Sequence, residues 1–465
     1  MIGVPFEIAG GTGGHKSIQF SSEVSRNVYI DFSDTAGRKG QHDFPGLKPW
    51  HASAGVDRGS HVMSGTLYKI SGTTLYSVSA VGVQTALGTV AGTERAVFAN
   101  DGVNLMFCVE GLLYRWNSPT LSNVSVGPVP NPRAIAYINS QFVVSGDNGI
   151  FAVSDPGSAT SWNALNYAEE ETLPDSLLRP YTYSQMVYML GSQSVVPWVN
   201  VGTGNPPFSR QETALVNIGL ANKHAVINTD NFLYWLSDDK KLYQCVGASA
   251  RNVTTPGASY LLDDLDASTC ILSEFTIQGQ QFVLLAFSGR TLFFSESNNY
   301  WGELSGGTDI IPAQWYGNYI FACYGKTLVT DYRNGNVYEL DRDAYTDNGD
   351  ARLRVRELPV FTSALVGKPG RRITVSGVKL DMQVGVGLAS GQGSQPVLVC
   401  QFSNDGGHTW GEEINVDMGI MGDYTAPAYA YGFANGYNIK VRLKCSDPVF
   451  LSLFGGIIYL REAGY

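Results

Sequence analysis

Leu105-Met106-Phe107-Cys108-Val109-Glu110-Gly111-Leu112-Leu113-Tyr114-Arg115-Trp116 consists of two apolar, partly aromatic runs divided by a two-residue turn. Each run is too short for an ordinary helix, and Glu110-Gly111 supplies the positive φ angles that a tight hairpin needs. The stretch predicts a β-hairpin. The same unit recurs as Leu67-Tyr68-Lys69-Ile70 with Leu75-Tyr76-Ser77-Val78, and as Phe232–Leu236 with Leu242–Val246. Further copies are Phe282–Ala286 with Thr291–Phe294, and Tyr319–Ala322 with Asn336–Leu340. Asp147-Asn148-Gly149 and Asn334-Gly335 are expected to turn with positive φ in the same way.

No long segment keeps apolar residues at helical spacing, so the chain is expected to be mainly β. Its hairpins return roughly every 40 to 50 residues, the size of a four-stranded propeller blade. A distorted β-propeller of about six or seven blades would fill residues 55–345, and a chain of β-sandwiches is the alternative. Residues 1–54 read as an extended N-terminal arm. The run Asp341–Asp350, rich in turn formers, reads as an acidic, solvated boundary. Beyond it, Arg371–Val375, Pro396–Phe402, Tyr437–Leu443 and Phe454–Leu460 suggest a jelly-roll-like β-sandwich over residues 346–465. Gly385–Ser394 reads as a mobile loop.

Composition narrows the function. The 465 residues carry 31 Lys+Arg against 41 Asp+Glu, a net charge of −10, which argues against tight binding along a phosphate backbone. Guiding a passing duplex without holding it remains compatible with an acidic wall. No apolar run is long enough to span a membrane, and Met1-Ile2-Gly3-Val4-Pro5 lacks the basic and apolar regions of a secretory leader. The expectation is a soluble protein that assembles where it is made. Cys108, Cys245, Cys270, Cys323, Cys400 and Cys445 form no Cys-x-x-Cys pair and are expected to be reduced and buried.

The motifs that carry chemistry are missing or incomplete. No Gly-x-Ser-x-Gly is present, and none of the six histidines opens a zinc-protease motif. Gly325-Lys326-Thr327 ends like a phosphate loop, but Ile320 stands where the first glycine belongs. Gly385-x-Gly387 lacks the third glycine of a dinucleotide fold. Asp341–Asp350 has no EF-hand spacing, since Arg352 falls at the twelfth position. Glu169-Glu170-Glu171 and Asp263-Asp264-Leu265-Asp266 offer paired carboxylates that read as surface charge. The sequons at Asn123 and Asn252 have no meaning without secretion. No catalytic, cofactor or metal site is therefore expected.

One motif is sharp. Ser403-Asn404-Asp405-Gly406-Gly407-His408-Thr409-Trp410 resembles the Asp-box, S-x-D-x-G-x-x-W, of sialidases and related propellers. Ser403 and Asp405 would satisfy turn amides, Gly407 would permit positive φ and Trp410 would pack beneath the hairpin, a structural role. The box keeps a sialidase-like propeller glycosidase open as an alternative, and the 25 Tyr and eight Trp keep open a glycan- or receptor-binding module.

Ser25-Arg26-Asn27-Val28-Tyr29-Ile30-Asp31, followed by Phe44-Pro45-Gly46-Leu47-Lys48 and the Leu67-Tyr68 and Leu75-Tyr76 hairpin, resembles the opening of the packaged-DNA stabilisation proteins, the tail hubs or nozzles of short-tailed bacteriophages. The C-terminal end is also similar, through the Ser403-Asn404-Asp405-Gly406 turn, Trp410-Gly411-Glu412 and closing strands near Val441 and Ile457. His42-Asp43-Phe44 departs from the usual lead into the Pro-Gly-Leu turn, and the Gly385–Ser394 loop has no counterpart. The resemblance implies a non-enzymatic hexameric ring in the virion tail, assembled in the host cytoplasm. That ring would sit below the portal and its adaptor, carry fibres or tailspikes, and hold a needle or plug at its tip. It would extend the channel, retain packaged DNA and guide its ejection, with double-stranded DNA passing through the lumen unread.

Overall fold

The computed structural model describes residues 2–18, 22–32, 37–170, 176–211, 214–247 and 249–462. Seven consecutive four-stranded antiparallel units follow one another from Asp57 onward. Blade 1 is Asp57–Met63, Thr66–Ser71, Thr74–Val78 and Gln84–Thr89. Blades 2, 3, 4 and 5 begin at Val97, Ala134, Leu177 and Val226. Blade 6 is Ile271–Ile277, Gln280–Phe287, Arg290–Ser295 and Tyr300–Leu304.

Blade 7 takes three strands from Gly317–Cys323, Lys326–Asp331 and Val337–Asp341, and its fourth from Gly46–His51. The expected propeller is present, and the N-terminal segment closes its ring. Pro49 fits this position, because an outermost strand tolerates a residue that cannot donate to the ladder. At the seam between blades 7 and 1, Leu67 and Val78 pack with Cys323, Leu328 and Val337. The Tyr324 hydroxyl donates to the Val78 carbonyl at 2.6 Å.

The middle strands lie between neighbouring blades and are covered on both faces. Leu105–Val109 and Leu233–Leu236 are buried throughout. They therefore read as continuous apolar runs rather than as alternating strands. The outermost strands Gln84–Thr89 and Ser249–Asn252 are mostly exposed, and carry little of the apolar signal on which strand reading depends.

The hairpin runs pair as expected in blades 1, 2, 5 and 6. Blade 7 differs, because Lys326–Asp331 lies between the two segments expected to pair. The Gly325-Lys326-Thr327 run is thus the tight turn into a missed strand. Glu110, Gly111, Asn148 and Gly149 have positive φ, but Asn334 and Gly335 do not. There the Asn334 side chain accepts from the Asn336 amide at 2.8 Å. Gly335 is needed for space instead, since an added Cβ would lie 2.6 Å from the Ser53 carbonyl oxygen.

After Arg354 the chain builds two further sheets. The outer strand of blade 6 continues, through Val24–Arg26, to Arg354–Glu357, Lys440–Cys445, Val397–Ser403 and Ile414–Asp417, giving one nine-stranded sheet. A six-stranded sheet contains Val28–Phe32, Lys39–Asp43, Ser452–Glu462, Ile373–Met382 and Tyr429–Gly436, with Ile2–Glu7 beside Ser452–Glu462. One apolar cluster draws on both sheets, including Val375, Val378, Ile458 and Leu460 with Leu398, Cys400, Val441 and Leu443. The segment read as an extended arm is thus strand-paired into both sheets and into the propeller. All six cysteines are buried and unbridged. No helix among the described residues is long and apolar enough to cross a membrane.

Candidate functional site: the joint and the propeller axis

The joint between propeller and C-terminal body is built from charge. In Arg352-Leu353-Arg354-Val355-Arg356-Glu357 every residue is buried. Arg354 reaches Asp43 at 2.9 Å and donates to the carbonyls of Val449 at 2.8 Å and Cys445 at 3.1 Å. Arg352 pairs with Asp347 at 3.3 Å and Asp43 at 3.6 Å, and donates to the Pro45 carbonyl at 2.9 Å. Arg356 holds Glu23 at 2.6 Å and the Ile8 carbonyl at 2.7 Å. Buried guanidinium groups are costly unless carboxylates and carbonyls answer most of their N–H donors. Here the partners come mainly from residues 8–45, so the arginines fasten the N-terminal segment to the C-terminal body.

The same logic runs across the sheet. Glu303 in blade 6 accepts from Arg26 at 2.9 Å and Arg290 at 2.8 Å. Buried Asn27, with φ of 56°, donates to Ser305 and Leu353 carbonyls at 2.8 and 2.9 Å. Asp341–Asp350 is solvated at Arg342, Asp343 and Asn348 to Asp350, but not at Asp347. Asp347 is 1% exposed and accepts from the Trp315 indole at 3.0 Å as well as from Arg352. Its burial follows from these partners, which a sequence run does not reveal. Glu170, read as surface charge, is also buried and accepts from the Trp198 indole at 2.8 Å. Glu171 lies outside the described residues.

Glu357 binds Lys440 at 2.9 Å and Arg442 at 2.7 Å. Burial pushes its carboxyl upward, but the two cations outweigh burial and hold it below the ordinary range. An acid depressed in the fold contributes fully above its unfolded value of about 4.3, and loses that contribution as pH falls through the folded value. Glu357→Gln should therefore destabilise the chain at neutral pH, with the gap closing below about pH 4. Urea midpoints of both chains measured across this range would show it; a gap constant with pH would exclude the pairing.

The Asp-box-like turn lies at the far end of Val397–Ser403. The Ser403 hydroxyl donates to Asp405 at 2.7 Å and accepts from the Gly407 amide at 2.8 Å. Asp405 accepts from the Thr409 amide at 2.9 Å and its hydroxyl at 2.6 Å. The Ser403 and Thr409 hydrogen bonds hold the Asp405 carboxyl well below the usual range. Gly407 has φ of 109°, and Trp410 stacks under the Arg442 guanidinium at 3.7 Å. Asp405→Ala is expected to cost about 1.5 kcal/mol, readable as a lowered urea midpoint with unchanged slope. The Gly385–Ser394 segment, expected to be mobile, is tied by Gly385 and Gly387 amides to Met418 and Gly419 carbonyls at 2.8 and 3.2 Å.

The propeller axis is nearly filled. Inner strands leave a cavity of about 80 Å³, lined by His61, Arg95, Arg179, Tyr181, His224 and Tyr319 among others. Among the described residues no carboxylate lines it, so they do not assemble there the carboxylate pair of most glycoside hydrolysis. Burial pushes the Tyr181 hydroxyl up to about 12 and raises Tyr319, the wrong direction for a nucleophile. Among the described residues, no cluster of three or more His, Cys, Asp or Glu is placed to hold a metal.

The buried arginine row was missed by sequence reading. Its period-two alternation was visible, but alternation ordinarily sends charges to solvent.

A search of curated proteins finds no match. Many solved structures are similar to the chain, two of them as follows. One is the computationally designed Ika8 protein, at 11% identity over 72% of this chain and 99% of that one, with a TM-score of 0.40. The other is BamB from Moraxella catarrhalis, at 10% identity over 69% and 96%, with a TM-score of 0.39. The family model described as bacteriophage P22 Gp10, beta-propeller, matches residues 4–345, a span that includes both the closing strand and all seven blades. By that match the chain belongs to the P22 Gp10 β-propeller family of phage structural proteins that stabilise packaged DNA.

Proposed function

We propose that this virion protein is a tail hub subunit, a ring-forming nozzle that extends the portal channel, retains packaged DNA and guides its ejection without chemistry of its own. The observation that carries this reading is the family match over residues 4–345. The nearly filled axis supports one detail. A cavity of about 80 Å³ excludes a duplex whose major groove alone is about 12 Å wide, so DNA would pass between subunits rather than through any one propeller. Closure of a ring requires head-to-tail contacts between copies, and the buried ion pairs of the joint would hold the body against the propeller. The division into arm, propeller and C-terminal sandwich then becomes a division of labour, with the first fastening the other two. The Asp-box-like turn of Ser403, Asp405, Gly407 and Trp410 serves as a structural fastener in the same scheme.

The reading includes a hexamer in the tail, an adaptor ring above it, and fibres or tailspikes and a needle around it. Deleting the gene from its phage should leave filled heads that leak DNA. Stable, infectious particles without the protein would end the proposal. Mass measurement of the purified chain with its adaptor should give a sixfold ring.

A further inference from the structure

Arg179, on the inner strand of blade 4, and Arg95, just before that of blade 2, line the same axial cavity. Their situations differ. Arg95 pairs with buried Asp57 at 2.8 Å. Arg179 has no carboxylate partner among the described residues. Its Nη1 donates to the Lys223 carbonyl at 2.7 Å, its guanidinium lies 5.1 Å from the Tyr181 ring centre, and its buried Nε has no hydrogen-bond partner among the described residues.

The neighbouring groups do not cancel this charge. Lys223 is itself a cation, already paired with Glu94. Burial and the surrounding cations hold His224 well below its ordinary value, and burial, with a smaller push from Arg179, takes His61 down to about 4. Both imidazoles are therefore neutral near pH 7, and Arg179 faces the cavity with no ion pair among the described residues; the charge of Glu274 reaches Tyr181 and Tyr319, but Glu274 does not line the cavity. The Tyr319 hydroxyl lines the same space without a hydrogen bond among the described residues, and its raised value keeps it a donor. A desolvated guanidinium with an orphan N–H is costly unless an anion answers it. Planar N–H donors match the oxygens of a phosphate-like group.

We propose that the propeller axis binds one small inorganic oxyanion of the phosphate or sulfate class, held by Arg179 with Tyr319 and Arg95. The cavity has room for such an ion and a few waters, and is too small for a polymer. The anion comes from solution rather than from the DNA backbone, because inner strands of six blades surround the site. This site stands whether or not the chain forms a tail ring.

The test is thermal unfolding of the full chain in rising inorganic phosphate, with chloride balancing ionic strength. Phosphate stabilises any fold by exclusion from its surface, so the reading is the difference between chains. Wild type should show an added, saturating rise in Tm, as binding to the native state requires. Arg179→Gln should bind about tenfold more weakly or worse, flattening the added rise. Tyr319→Phe keeps the ring and loses the hydroxyl, and should weaken binding severalfold. It supplies the readout if Arg179→Gln does not fold. A short DNA duplex should neither mimic phosphate nor compete with it. Equal responses in wild type and the folded variants would overturn the proposal, as would displacement of phosphate by the duplex.

Discussion

Asp43→Ala should cost about 3–5 kcal/mol of stability, the loss expected when one member of a buried ion pair is removed. Asp43 is 7% exposed and faces two fully buried guanidinium groups, Arg354 at 2.9 Å and Arg352 at 3.6 Å. Removing it strands Arg354, itself 1% exposed, without a carboxylate, while Arg352 keeps Asp347. The cost arises from the charge left behind more than from the lost contact. A double variant, Asp43→Leu with Arg354→Met, should therefore recover much of the loss, because an apolar pair of similar volume is often as stable as a buried salt bridge. Urea unfolding of the three chains measures both effects. A loss below about 1 kcal/mol for Asp43→Ala would place the pair in solvent and remove the joint as a fastening.

Removing residues 1–51 should abolish cooperative unfolding. Gly46–His51 is the fourth strand of blade 7, and its loss exposes the unpaired edge of Val337–Asp341, a template for aggregation. Phe44 leaves as well, and its ring packs within 5.7–5.9 Å of Phe275, Phe293 and Trp315. Val24–Arg26, which links the blade 6 sheet to the C-terminal body, is lost at the same stroke. The combined loss exceeds the roughly 5–15 kcal/mol by which a folded domain is stable. Removing only residues 1–7 is the contrast. It deletes an edge strand and should lower Tm while leaving one sharp transition. Circular dichroism melts and size exclusion distinguish the two truncations. A cooperative melt of residues 52–465 at the full-length temperature would show that the ring closes by other means.

The blade rhythm was legible in sequence because middle strands such as Leu105–Val109 are covered on both faces and so are apolar throughout. The outer strands were not legible, since their pairing is satisfied by backbone groups common to every residue. Lys326–Asp331 was hidden by a glycine-lysine pair at its start that imitated a phosphate loop. The Asp-box-like turn was legible because its hydrogen bonds run between residues at most four positions apart. The axial site was not, because Arg95, Arg179 and Tyr319 come from three separate blades.

Composition and local pattern alone determined a β chain of repeated hairpins with tight glycine turns, for those choices depend on short-range sterics and on burial that each strand records in its own residues. Tertiary structure alone decided that residues 46–51 close the ring, that Asp347 and Glu170 lie inside, and that the Arg352-Arg354-Arg356 face points inward. Whether a charge meets water or a partner is settled by other segments, from 28 residues away for Glu170 and Trp198 to 311 for Asp43 and Arg354, and no local pattern carries that information.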